Sequence, residues 1–367
     1  MSQTTYDPVF WQALPKVLLH EHLDGGLRPQ TLLALCQASN ISLPAATAPE
    51  LALWLQSNAN SGSLERYLRA FGLTVAAMAT ARACEQVAFE AAEDARLDGC
   101  VLAEFRMAPL LLEPHGLAPE LAVEALLRGL QRSSMPAGLI VCAMRTDSVQ
   151  AVERAARLAV RYAGAGVGKS AGEGTGYGVV GFDLAGAEKG FPATVHRTAI
   201  HLARDAGLGI TLHAGEADHG QRVLEAIELG ATRIGHGVQI AQPAPGEDAA
   251  AAALRRMHTV AAMAVDQKAH VGPVHFEVCP TSNTHTGVCA DLASHPMKSM
   301  LAAGLSLSVH TDNRLISGVT HSGELAAVHR ALGWQVADIQ ASMQCAARAS
   351  FMPQAVVQRV LQQLAGG

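Results

Sequence analysis

Four short segments of this 367-residue chain set histidines and acids at spacings that could do chemistry. The first is His20-Glu21-His22, followed by Asp24 and Gly25. Side chains alternate along a strand, so His20 and His22 project from one side of an extended segment. The others are His213-Ala-Gly-Glu216, Gly235-His236-Gly237 and Thr311-Asp312-Asn313, each at or just beyond the end of an apolar run. Neutral imidazole and carboxylate are ligand types that Zn²⁺ accepts. Three histidines and one aspartate would hold such an ion with a position open to water, and would bring that water's pKa toward neutrality. A packed interior tolerates these groups only when they are partnered. Their convergence therefore reads as the site of a metal-dependent hydrolase.

The elements that must position them are legible as eight apolar runs rich in Val, Ile and Leu, at 17–22, 100–107, 139–144, 179–184, 210–213, 233–236, 275–279 and 305–310. Segments with helical periodicity, such as 119–131, 148–162, 192–206 and 221–229, lie between most of them. Buried-type strands alternating with helices predict parallel βα units, and eight of them predict an α/β fold of the (β/α)8 TIM-barrel type. The ends of its strands would carry the site. The whole chain, 1–367, reads as one barrel domain. The stretch 28–98 is too long for one crossover helix and reads as a helical insertion after strand one. Within it Leu64, Tyr67, Leu68 and Phe71 share a helical face. A further helical part is expected at 322–364, with Pro353 opening the last helix. The segment 163–170 mimics a phosphate-binding P-loop, but it follows a helix and runs into more glycines, so it reads as a loop.

Composition excludes other classes. With 27 Lys and Arg against 32 Asp and Glu, the formal charge is -5, which argues against a nucleic-acid or anionic-membrane partner. Only 16% of residues are charged and 49% are hydrophobic, so the chain is not disordered. The seven cysteines form no CxxC pair, and a reducing cytoplasm is the simplest location. The first ten residues show no secretory pattern, and no uncharged apolar stretch of about 18 residues is present to span a membrane.

Taken together, the blocks Pro15-Lys-Val-Leu-Leu-His-Glu-His-Leu-Asp-Gly25, Phe182-Asp-Leu-Ala-Gly186, Leu212-His-Ala-Gly-Glu216, Arg233-Ile-Gly-His-Gly237, Phe276-Glu-Val-Cys-Pro280 and Thr311-Asp-Asn-Arg-Leu-Ile-Ser317 resemble the adenosine deaminases of the metal-dependent amidohydrolase superfamily, their bacterial and actinobacterial members above all. They follow the family's order over about 300 residues. The resemblance implies one Zn²⁺ per chain and a purine nucleoside substrate. Adenosine, and 2′-deoxyadenosine with it, would be deaminated to inosine and ammonia by a zinc-activated hydroxide attacking C6, a step of purine salvage. It implies His20, His22, His213 and Asp312 as zinc ligands and His236 as the residue that orients and deprotonates the bound water. Glu216 would protonate purine N1, Gly186 would meet N3 through its backbone, and Asp24 would bind the ribose 5′-hydroxyl. Leu64, Tyr67, Leu68 and Phe71 would gate the sugar side.

Other readings compete at several of these positions. Asp24 could cap the turn at Gly25, and the apolar stripe could be ordinary core. Asn313 stands where animal members have a second Asp. Its amide donates at every pH, so a contact to N7 needs no shifted pKa. His310 stands where the family suggests Asn, and it could line the barrel or support a metal ligand. A sister deaminase acting on adenine, an N6-substituted adenine nucleotide or another aminopurine is the alternative activity.

Overall fold

The computed structural model describes residues 6–68, 70–164, 176–242, 249–267 and 270–366. Most of the glycine-rich segment, including the P-loop mimic from residue 165 on, lies outside them.

The described residues form ten strands: β1 (Lys16–His22), β2 (Cys100–Met107), β3 (Ala137–Met144), β4 (Gly176–Ala185), β5 (Gly209–Ala214), β6 (Arg233–His236), β7 (Ala264–Gln267), β8 (His270–Pro273), β9 (His275–Val278) and β10 (Ser306–Val309). Eight of them form one parallel sheet in the order β1-β2-β3-β4-β5-β6-β9-β10. The sheet closes through a parallel bridge between Glu21 and Asp312. There the His22 N–H donates to the Asp312 carbonyl at 2.8 Å, and the Asp312 N–H donates to the His20 carbonyl at 3.0 Å. This is the expected (β/α)8 barrel. Its strands are covered on both faces, as parallel strands must be, and Val17, Leu18 and Leu19 of β1 are all fully buried.

The sequence did not suggest the antiparallel hairpin of β7 and β8, inserted between the helix Ala249–Ala262 and β9. Its strands, AVDQ and HVGP, carry no sustained apolar run. The insertion after β1 is helical as expected, with helices Pro29–Ala38, Ala48–Ala59, Leu64–Leu68, Phe71–Ala77 and Ala81–Leu97. Local signals set their ends: Thr47 and Glu50 form a capping box, and the Thr80 hydroxyl accepts from the Ala83 N–H at 3.1 Å. The C-terminal part forms helices His321–Leu332, Val336–Ala349 and Gln354–Gly366, the last directly after Pro353.

The barrel interior is not purely apolar. Arg106 on β2 and Arg233 on β6 are fully buried and meet Glu277 on β9 at 2.6 and 2.5 Å. Arg106 also pairs with Asp183 on β4 at 2.8 Å, and Arg233 with Glu104 on β2 at 2.5 Å. Each buried charge is thus paired, which is the condition for keeping it there. This ionic layer bears directly on the histidines.

Candidate active site

Four side chains converge where the C-terminal ends of β1 and β5 meet the segment after β10. His20, His22, His213 and Asp312 each offer a ligand atom, and these atoms lie within 4.8 Å of one another. Asp312 Oδ1 is 3.4 Å from His20 Nε2 and 3.6 Å from His22 Nε2, and His22 Nε2 is 3.3 Å from His213 Nε2.

The opposite atom of three of these four residues is tied down. His20 Nδ1 donates to Glu277 Oε2 at 2.8 Å, His213 Nδ1 lies 3.0 Å from Asp183 Oδ2, and Ser282 Oγ donates to Asp312 Oδ2 at 2.6 Å. A carboxylate accepting from Nδ1–H leaves a bare lone pair on Nε2. His20 Nε2 is buried without a hydrogen-bond partner. Such a cluster of inward lone pairs and one carboxylate oxygen is unfavourable unless a cation sits among them. The residues therefore fit a divalent metal ion.

Burial favours the neutral form of two of the histidines, the form a ligand needs: His22 is pushed well below the usual range and His213 is lowered. Burial works against ionisation of Asp312. The close approach of the His20 ring and the nearby His236 and His22 outweigh it, and its carboxyl lies well below the usual range.

A second grouping, His20, His236, Cys279 and Asp312, also lies within reach of one ion. It is the poorer metal site. Burial pushes the Cys279 thiol well up, with the Asp312 charge adding, and its Sγ faces the Glu277 carbonyl at 3.8 Å.

His236 and Glu216 sit beside the cluster, with His236 Nε2 3.7 Å from Glu216 Oε2. Burial raises the Glu216 carboxyl well above the carboxylate range, and the Asp312 and Glu188 charges add to this. Burial likewise holds His236 well below the usual imidazole range. Both His236 (φ 60°) and Asp312 (φ 58°) have left-handed backbones, uncommon for non-glycine residues and costing about 1–3 kcal/mol each. At His236 the next residue is Gly237, also left-handed, where a Cβ would meet Phe276 at 2.3 Å. The tight turn aims the imidazole at the cluster.

The cluster opens into a cavity of about 410 Å³, lined by Asp24, Leu64, Tyr67, Leu68, Phe71, Gly186, Glu216, His236 and Asn313, among others. All seven expected substrate-binding residues line it. Asp24 Oδ1 is buried without a partner, and burial, with Asp312 nearby, raises its carboxyl to about 7. Gly186 lines the wall with φ 95°, and a Cβ there would meet Met144 at 2.9 Å. The apolar stripe comes from two consecutive short helices rather than one.

The family model for adenosine deaminase matches residues 15–366. The chain belongs to the adenosine deaminase family. It is 38% identical over 340 residues to an adenosine deaminase of Mycobacterium marinum, covering 89% of this chain and 87% of that one. The solved structure of adenine deaminase from Arthrobacter aurescens superposes with a TM-score of 0.81 at 23% identity, covering 96% of this chain and 99% of that chain. A zinc-bound amidohydrolase from Burkholderia ambifaria does so at 0.78 and 21%, covering 100% and 97%. Membership of this deaminase family and the cluster together support a metal cofactor.

Several residues of this deaminase-family site carried no role in the sequence reading. Asp183 and Glu277 orient the histidines, and their signal was present as an acid in the middle of an apolar strand, FDLA and FEVC. Glu188 accepts backbone N–H bonds from Gly215, Glu216, Ala217 and Asp218 at 2.5–3.0 Å, which fixes the loop carrying Glu216. The Arg145 guanidinium ties the Leu184 carbonyl to that of His213. His310 lines the barrel: its Nδ1 accepts from the Leu19 N–H at 3.2 Å, and its Nε2 bonds to Ser308 Oγ at 2.6 Å. His275 joins the same row through Ser308 at 2.8 Å, and His321 bonds to the Val309 carbonyl at 2.8 Å.

Proposed function

We propose that this chain catalyses the hydrolytic deamination of adenosine and 2′-deoxyadenosine to the inosine nucleosides and ammonia, with one zinc ion per chain. The observation that carries the reading is Glu216: a buried carboxyl, its pKa pushed well up, beside four converging metal-type ligands in a cavity with an apolar stripe on one wall. Water adds at C6, and N1 must gain a proton as ring aromaticity is lost. A neutral carboxyl is the group that can give it. His20, His22, His213 and Asp312 would hold a divalent ion, which would supply Lewis-acid activation of water at neutral pH. His236 aims the water, and Gly186 and Asn313 meet purine N3 and N7. Asp24 takes the 5′-hydroxyl, and Leu64, Tyr67, Leu68 and Phe71 cover the sugar.

Nucleoside is favoured over nucleotide by the cavity lining, which contains no Lys or Arg among the described residues, while Asp24 would repel a phosphate. We read residues 1–367 as one barrel domain. Seven free cysteines suit a reducing cytoplasm, and among the described residues no helix is long and apolar enough to cross a membrane. The test is the ultraviolet change when the purified, zinc-loaded protein is incubated with adenosine, beside adenine and AMP. Turnover of adenosine alone is expected. Preferred turnover of adenine or AMP would overturn the reading.

A further inference from the structure

His236 Nδ1 lies 3.1 Å from Asn283 Nδ2, a group that can only donate. Which end of an amide is nitrogen is normally an assignment, but here the next contacts decide it. Asn283 Oδ1 lies 3.2 Å from His295 Nε2. His295 Nδ1 in turn lies 3.1 Å from the backbone N of Met297, the first residue of the helix Met297–Ala302. A backbone N–H is a donor with no alternative, and at a helix start it has no intrahelical acceptor. His295 Nδ1 must therefore accept. A neutral imidazole accepting at one nitrogen carries its proton on the other, so His295 Nε2–H donates to the Asn283 oxygen. Turning the amide over would ask both His295 nitrogens to accept, which a neutral ring cannot do. All three side chains are buried, so water does not blur the chain of bonds.

We propose that Asn283 and His295 are positioning residues that lock His236 in the tautomer with its proton on Nε2. With Nδ1 accepting from Asn283, the ring presents an N–H, not a lone pair, toward Glu216 and the metal cluster. His236 then donates a hydrogen bond to the attacking oxygen and does not accept the water's proton. It also cannot ligate a metal through Nε2, which leaves the ion to His20, His22, His213 and Asp312. The catalytic consequence rests on the deaminase reading above. As the O–C6 bond forms, Glu216 gives its proton to N1, and the carboxylate so formed takes the proton that the water loses. The protein's proton count is unchanged across the step.

The tautomer is directly measurable. Zinc-loaded protein labelled with ¹⁵N-histidine is examined by long-range ¹H–¹⁵N correlation, and the His236 ring is assigned by its loss in His236→Gln. The expected pattern has a protonated Nε2 and a bare Nδ1 at neutral pH. Asn283→Asp replaces the donor with a carboxylate that demands Nδ1–H, so the pattern should invert, with kcat falling more than tenfold and KM moving far less. A protonated Nδ1 in the parent protein overturns the proposal whatever the variants do. An unchanged pattern in folded Asn283→Asp removes Asn283 as its cause. Absence of adenosine turnover by the parent would instead sink the deaminase reading and leave the tautomer result standing.

Discussion

The side-chain amide of Asn313 donates to the Tyr67 hydroxyl at 3.0 Å, and that hydroxyl also meets Ser317 Oγ at 2.8 Å. A residue of the helical insertion thereby orients one that follows the last barrel strand. The Asn313 amide has two hydrogens. One is committed to Tyr67, and the other is free for an acceptor such as purine N7. Tyr67→Phe should lower kcat/KM for adenosine about fivefold, the loss of one hydrogen bond of about 1 kcal/mol. Steady-state kinetics with 7-deazaadenosine completes the comparison. Having no N7, that ligand should be nearly indifferent to the substitution, and an equal loss with both would disconnect Tyr67 from Asn313.

Asp24 carries an unpartnered buried oxygen, and the residue lines the cavity, which is what a ligand-binding role needs. 5′-Deoxyadenosine should be a poorer substrate than adenosine by about 1–3 kcal/mol in transition-state binding. Equal kcat/KM for the two would return Asp24 to the turn.

Glu216→Gln keeps the shape of the acid and a donor toward N1 but cannot transfer a proton. Turnover should fall by roughly 10²–10⁴-fold, while metal content and inhibitor affinity hold. The active form of the parent is protonated, and its carboxyl is raised by burial, then by Asp312 and Glu188. Activity should therefore be present below the raised pKa and be lost as pH rises through it. The residual rate of Glu216→Gln should lack that alkaline limb in its pH profile.

Asp183 touches no substrate, yet it fixes the tautomer of His213. Asp183→Asn should weaken metal affinity by about 10–100-fold, read by competition with a chelator. His213→Ala should lose metal and activity together. Full metal occupancy in His213→Ala would strike that residue from the ligand set.

Glu324 is buried and accepts from the Thr281 N–H at 3.1 Å. Burial, against the opposing Thr281 hydrogen bonds and with the Asp312 charge adding, raises its carboxyl to about 7. The folded state then holds a proton that the unfolded chain releases near pH 4.3. Its stabilising contribution is complete below that value and is lost as pH rises through about 7, a span on the order of 3 kcal/mol. Denaturant melts of the parent and Glu324→Gln should show the parent losing ground to the variant between about pH 4.3 and 7, with the difference level above that. A constant difference would place the Glu324 pKa in its ordinary range.

The barrel and its ligand-bearing strand ends were legible because parallel strands buried on both faces read as apolar runs, and a polar residue closing such a run stands out. His20, His22, His213, His236 and Asp312 are of that kind. The supporting groups were harder to see. Asp183 and Glu277 look like errors in a strand until Arg106 is known to cross the barrel to both. Glu188 and Asn283 act on the backbone or on another side chain across the fold, and no local spacing encodes that. The hairpin of β7 and β8 was invisible because neither strand is long or apolar enough to signal itself.

Asp312 also has a topological part. Through its backbone it bridges β1 and the segment after β10, and through its carboxylate it faces two histidines of β1. An ion held there would be a clasp across the seam of the barrel, closing the loop that runs from His20 to Asp312. Loop-closure entropy makes such a seam the most expensive one to shut. During synthesis His20 and His22 emerge on the first strand of the sheet and wait until its last, β10, has been made before their partner Asp312 arrives. A bound ion would then favour the closed seam over the open one. The backbone amides of His22 and Asp312 should be the first in the sheet to exchange with solvent when the ion is stripped, well before the centre of the sheet at β3 and β4 loosens.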